Sequence, residues 1–299
     1  MEKTFKTIET VRLPDATRVG FVHLRVHDLE QALRLYRDLL GFREIGRSDT
    51  SVSLGTQAAS RPILVLIEEK KAQPRSRTTP GLFHVAVLYK NRTELARVLR
   101  RLAESEYPFQ GFADHGVSEA LYLADSEGNG IELYADRPRD TWKSSSGSVK
   151  MVSEPLDIDD LLRELKSVND PWNGVHPDTK IGHIHLQVSD LTKADKFYHE
   201  TLGFDVTQRS YPGALFLSAG GYHHHIGVNV WNSKDSSPAP GNATGLIRFA
   251  VEVPDMGTVH RLKDRLDDFN HPNELSGDGR SLTTRDFDNI EITIGTYEE

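Results

Sequence analysis

The chain has 299 residues, a net charge of −8 and no cysteine, so disulfides and thiolate metal sites are excluded and any tightly held metal must use His, Asp or Glu. No basic stripe marks a nucleic-acid surface, and no apolar run approaches the ~18 residues of a membrane span. The opening Met1–Lys6 has no apolar core of the signal-peptide kind, so a cytoplasmic location is expected.

In chain order, the first predicted element is a short strand around Phe21, Val22, Leu24 and Val26. Asp28 then opens a helix over Leu29–Leu40, because an Asp there can accept from free N–H groups and suits the helix dipole. Gly41 stands where a helix end wants positive φ. Three β-rich runs follow, at Glu44-Ile45, Ser51–Leu54 and Ile63–Ile67. The basic run from Lys70-Lys71 to Arg75-Ser76-Arg77 lies in a Pro-containing loop and reads as a solvated connector. The pattern then restarts with Leu82, Phe83, Val85 and Val87, a helix opened by Asn91 or Thr93, and further β-runs.

The segment from about 137 to 180 breaks the pattern with Ser144–Ser148, an amphipathic stretch Ile158–Leu165, Pro171 and Pro177, and reads as a linker. Beyond it Gly182–Phe204 repeats Gly20–Phe42 at an offset of 162, with 11 of 23 positions identical. Asp190 opens the corresponding helix and Gly203 ends it. A weaker repeat pairs Gly81–Val87 with Gly245–Val251. The expected division is 1–136 (units about 18–70 and 80–136), a linker at 137–178, and 179–299 (units about 180–232 and 244–296).

Chemistry concentrates in the second unit: His84 on its first strand, His115-Gly116 in a turn, then Tyr122, Asp125-Ser126-Glu127-Gly128-Asn129 and Glu132. The Asp-x-x-Gly-Asn segment signals a hairpin that sets Tyr122 and Glu132 on neighbouring strands. Taken alone, His84 is more often an ordinary strand histidine than a ligand; the surrounding set shifts that balance. Tyr36 and Tyr198 read as helix packing, and Trp142, Trp172 and Trp231 carry no usable signal.

With these residues the chain resembles the vicinal oxygen chelate superfamily, and within it the extradiol catechol 2,3-type dioxygenases. The βαβββ repeat covers nearly everything but the linker, and the narrower match is Leu-Phe-His84, His115-Gly and Tyr122-x-x-Asp-x-x-Gly-Asn-x-x-Glu132. The resemblance implies an α+β fold of four βαβββ modules in two incomplete barrel-like sheets with outer helices. It implies iron(II), with manganese(II) as a substitute, held by His84 and Glu132. Tyr122 would lie beside the substrate oxygens, and His115 near the ligands or facing the substrate. Two imidazoles and one carboxylate leave open metal positions, as in non-haem iron(II) oxygenases.

The third ligand is expected from His23 or His185, which occupy equivalent places. The acid–base histidine of the resembled family lies on the last strand of the module that gives the first metal histidine. Only unit three offers one, in His223-His224-His225, so His185 is favoured and units two and three should form the working barrel. If the triple histidine is a strand, His224 faces opposite to its neighbours; it is taken as the acid–base group. In unit four Arg248 replaces the ligand histidine and could pair with Glu291. The expected partners are a small aromatic diol and O₂, with no organic cofactor; a homo-oligomer is compatible. A glyoxalase-type isomerase or lyase, or a metal-free binding protein of the bleomycin-sequestering kind, are the competing functions.

Overall fold

The computed structural model describes residues 12–142, 144–145, 148–168 and 171–297; Met1–Lys6, and Ser146 and Gly147 of the serine run, lie outside them. The α+β architecture is the expected one: two eight-stranded sheets with helices on their outer faces. Each unit is an opening strand, a helix and three further strands. The opening strand pairs in parallel with the unit's last strand, and the rest of the unit runs on antiparallel.

The units do not associate in sequence order. The opening strands of units one and four, Arg18–Val26 and Gly245–Val253, pair antiparallel in one sheet. Those of units two and three, Gly81–Leu88 and Lys180–Gln187, pair in the other. Units two and three therefore share a sheet, as expected. No helix among the described residues is long and apolar enough to cross a membrane.

Local signals explain the elements. The side chains of Asp28, Asn91, Asp190 and Asp255 each accept from backbone N–H groups two or three residues on, capping the helix of each unit. The helices of units one and three both pass into π-helical turns, Arg34–Leu39 and Asp195–Thr201, and Gly41 and Gly203 follow at φ +82° and +88°. A side chain at Gly41 would also collide with the Trp172 ring, so both backbone conformation and packing require glycine there. Alternation along the strands sends Val22, Leu24 and Val26, and Val85 and Val87, to the helix side, where they are fully or nearly fully buried.

Tyr36 and Tyr198 are buried, as packing residues should be, but each also carries a directed bond. Tyr36 Oη donates to Asp125 Oδ2 at 2.9 Å, and Tyr198 Oη donates to Asp286 Oδ2 at 2.8 Å. Asp125 and Asp286 are the first residues of the hairpin turns, and their other oxygens accept from Glu127 and Asn129, and from Asp288 and Ile290, backbone N–H groups. Each tyrosine belongs to one sheet's unit and each aspartate to the other's, so these bonds lace the two sheets together. Tyr36→Phe and Tyr198→Phe should each lower unfolding free energy by about 1–3 kcal/mol, the range for stranding a buried acceptor; chemical denaturation of the two variants checks this.

Candidate metal centre

Three neighbouring strands build the centre. In the register of the second sheet His183 lies opposite Ala86, Ala86 opposite Glu132, and Glu132 opposite Tyr122. His185 lies opposite His84 in the adjacent row. His84, Glu132, Tyr122 and His185 line one cavity, and His183 meets Glu132 beside it. Ala86 contributes only a methyl group, so the longer side chains of His183 and Glu132 meet over it.

His84 Nε2 lies 3.0 Å and His183 Nε2 3.2 Å from the same Glu132 oxygen, Oε2, and all three residues are buried. His84 Nε2 makes no aligned hydrogen bond despite that closeness, and His183 Nδ1 is also without a partner. Buried polar atoms normally find partners. Two imidazole nitrogens converging on one carboxylate oxygen, one of them misaligned for donation, fit lone pairs directed at a shared cation. Among the described residues this is the group of His, Asp and Glu that could hold a metal ion.

The electrostatics agree with ligation. Burial opposes ionisation of Glu132, but His183 and His84 outweigh it and hold its carboxyl well below the usual carboxylate range. Burial pushes His183 down to about 4, against the pull of Glu132. The imidazole is then neutral near pH 7, the state a metal ligand requires.

His185, the residue favoured from the repeat, occupies a different position. Its ring lies directly over Gly227, where a Cβ would come within 3.0 Å of it, and its Nε2 meets Asn229 Nδ2 at 3.0 Å. It is near His84, with ring centroids 4.9 Å apart, yet it is His183 that reaches the carboxylate. His183 and His185 point to the same face, so their spacing could not choose between them. A signal was present: His185 has a copy in His23, whereas unit one has Phe21 where unit three has His183. The residue that differs between the copies, rather than the shared one, is the one that meets Glu132.

His23 lies in the other sheet, where Arg248 Nε donates to its Nδ1 at 3.2 Å. Arg248 also pairs with Glu291 at 3.7 Å, and Arg285 binds the other oxygen of that carboxylate. The counterpart position is thus filled by guanidinium groups.

Tyr122 and His115 stand at the opposite side of the centre. His115 Nδ1 donates to the Val152 carbonyl at 2.8 Å, so its Nε2 is the lone-pair nitrogen and accepts from Tyr122 Oη at 2.7 Å. Burial, reinforced by Glu132, raises the Tyr122 phenol well above its usual pKa and keeps it protonated. The segment read as a linker therefore fixes the tautomer of His115 through Val152, and through it the direction of the tyrosine hydroxyl.

The triple histidine lies in a turn before the strand Ile226–Asn229, so strand alternation does not govern it. His225 turns away, its Nδ1 accepting from the Ala219 N–H at 3.2 Å. His223 Nε2 faces Asp136 Oδ1 at 3.1 Å and its Nδ1 faces His224 Nδ1 at 2.8 Å. With Nε2–H given to Asp136, a neutral His223 accepts from His224 Nδ1–H, leaving Nε2 as the basic nitrogen of His224. The His224 ring lies against that of His183, with centroids 4.0 Å apart and the planes tilted by 47°. The centre opens on a cavity of about 490 Å³ that Tyr122, His115, His224, Phe83 and Trp231 help to line.

The model of the Glyoxalase/Bleomycin resistance protein/Dioxygenase superfamily matches residues 18–133 and 180–274. A Bacillus subtilis protein named catechol-2,3-dioxygenase is 42% identical over 254 residues, 84% of this chain and 87% of that one. The fold is shared with a crystal structure described as a candidate dioxygenase from Bacillus subtilis, at TM-score 0.67 and 12% identity, covering 96% of this chain and 86% of that one. It is shared too with glyoxalase I from Zea mays, at TM-score 0.58 and 14% identity, covering 94% and 92%.

The geometry yields a contrast between two histidines only two residues apart. His183→Ala should lose stoichiometric divalent metal, and His185→Ala should retain it, as measured by elemental analysis of folded, metal-reconstituted protein. Retention by His183→Ala with loss by His185→Ala would restore the repeat-based choice.

Proposed function

The chain belongs to the Glyoxalase/Bleomycin resistance protein/Dioxygenase superfamily, and on that premise we propose that it is a non-haem iron(II) dioxygenase that cleaves the ring of a catechol, or a substituted catechol, next to its two hydroxyls. The observation that carries the reading is the convergence of two buried imidazoles and a single carboxylate beside a hydrogen-bonded Tyr122–His115 pair. The named activity of the 42% identical relative supports the same class. A glyoxalase-type centre would use more carboxylates, and here Glu132 alone faces the imidazoles.

In this reading His84, His183 and Glu132 hold the metal. When bound, iron(II) supplies open positions at which both diol oxygens and O₂ meet and exchange charge. The protein's own residues handle the protons. Burial, followed by the neighbouring imidazoles, holds His224 well below the ordinary histidine pKa, so it enters the reaction neutral. Its basic Nε2 takes the diol proton and later returns it to the product oxygen. Tyr122, whose hydroxyl is committed to His115, offers oxygen lone pairs to a substrate hydroxyl and orients the ring. Trp231 and Phe83 supply an apolar wall at the cavity.

Iron-loaded protein should consume O₂ with a catechol and form a conjugated hydroxymuconic semialdehyde, seen together by an oxygen electrode and absorbance. Chelation should abolish this, and anaerobic iron(II) should restore it. His224→Ala should lower the rate roughly 10²–10⁴-fold with metal content intact. Protein proved to be iron-loaded, yet inert toward every catechol, would move the function to the isomerase class.

A further inference from the structure

The basic run expected to be a solvated connector reaches the cavity at its far end, while Lys70 and Lys71 stay exposed. Arg75 and Arg77, on the loop between the strands Leu64–Glu68 and Gly81–Leu88, both line it. The loop is firmly built there. Gln187 Nε2, from the opening strand of unit three, donates to the Arg77 carbonyl at 2.9 Å and the Thr79 carbonyl at 3.1 Å. Arg75 Nη1 donates to Thr79 O at 2.9 Å and its Nη2 to Leu82 O at 2.6 Å. The guanidinium is thereby fixed against the edge of the strand that carries His84 two residues on.

Arg75 is half-buried, and no carboxylate pairs with it or with Arg77 among the described residues. Burial alone lowers the Arg75 pKa; no neighbouring charge contributes. A partly desolvated guanidinium is costly without a counter-charge, and guanidinium groups suit carboxylates in particular through their planar donor fork. Glu132 is the only acid among the described residues lining the cavity, and the reading above commits it to metal. The chain is acidic overall, yet two cations with no carboxylate partner among the described residues line this cavity. Phe83 lines the same cavity, its ring 5.4 Å from His84, 5.0 Å from His185 and 5.2 Å from Trp231. A cavity of about 490 Å³ exceeds the space an unsubstituted six-membered ring fills.

We propose that the substrate is an aromatic diol bearing a carboxylate substituent, with the diol at His84, Glu132 and His183 and the carboxylate held by Arg75 and Arg77. This rests on the dioxygenase reading for the diol end; the carboxylate end stands on the arginines themselves. The aromatic ring lies along Phe83 and Trp231. Arg75 acts as the specificity-determining residue and takes no part in proton transfer.

The test compares a carboxylated catechol with its methyl ester, a neutral analogue of nearly the same shape. Equilibrium binding by calorimetry, run anaerobically on iron-loaded protein, should favour the acid over the ester by roughly 10- to 100-fold, the span of one or two charge-assisted hydrogen bonds. In Arg75→Gln that ratio should collapse toward one, and in Arg77→Gln, an exposed position that leaves the loop's bonds in place, it should shrink. The kcat/KM ratio of acid to ester should follow the binding ratio. Wild-type protein that binds acid and ester equally, or an unchanged ratio in both folded variants, would overturn the proposal. Discrimination in binding without O₂ uptake would uphold the carboxylate subsite and defeat the dioxygenase reading instead.

Discussion

The antiparallel pairing of Gly81–Leu88 with Lys180–Gln187 is the constraint on which the site depends. The two strands come from opposite sides of the linker, and no local signal in either specifies how they align. Their register is interrupted between Ile181 and His183 and between His185 and Leu186, and such irregularities re-aim side chains. The outcome is a row running from His183 over Ala86 to Glu132, with His84 one pleat away. Because side chains alternate with a period of two, a slip of one residue would carry both histidines of Lys180–Gln187 to the apolar face. The buried Ile184 and Leu186 oppose that slip, so the apolar core holds the polar site in register.

Among the described residues, four similar units yield one candidate centre. Each sheet pairs two opening strands, and each presents a histidine from unit one or three opposite a residue of unit four or two: His23 opposite Arg248, His185 opposite His84. In the first sheet Arg248 and Arg285 satisfy Glu291. A guanidinium has no lone pair to offer a metal, so that position serves as an ion-paired scaffold. In the second sheet the carboxylate faces two imidazoles, and the same architecture becomes a candidate metal centre. The two tyrosine–aspartate bonds keep these unlike sheets together, using the hairpin aspartates that the repeat preserves in both.

Around the centre, hydrogen bonds decide which nitrogens can act. Val152 assigns the proton of His115, and Asp136, through His223, assigns that of His224. Neither assignment depends on a residue within the βαβββ core pattern alone: Val152 belongs to the segment between the halves, and His223 to a turn. Irregular backbone thus tunes histidines that regular strands and their immediate surroundings bring close. The same holds for the loop bearing Arg75, which is tied down by Gln187 and by its own carbonyls.

Much of this was legible in the sequence. The four-unit repeat, the helix caps at Asp28, Asn91 and Asp190, the positive-φ Gly41 and Gly203, and the Asp125–Asn129 turn are local features, governed by residues only a few positions apart. His84, Glu132, Tyr122 and His115 could be singled out because one unit contains them all, at the spacing of the family the chain resembles. Spacing could not separate His183 from His185, because both face the same side of one strand; the repeat shows only that His183 lacks a copy in unit one, and it is the alignment with Ala86 and Glu132, across a gap in sequence, that brings His183 to the carboxylate. Nor could the fate of the Arg75 loop or of the linker be read from composition. Both are polar and irregular, and whether such a segment meets solvent or a cavity is decided by what the rest of the chain packs against it.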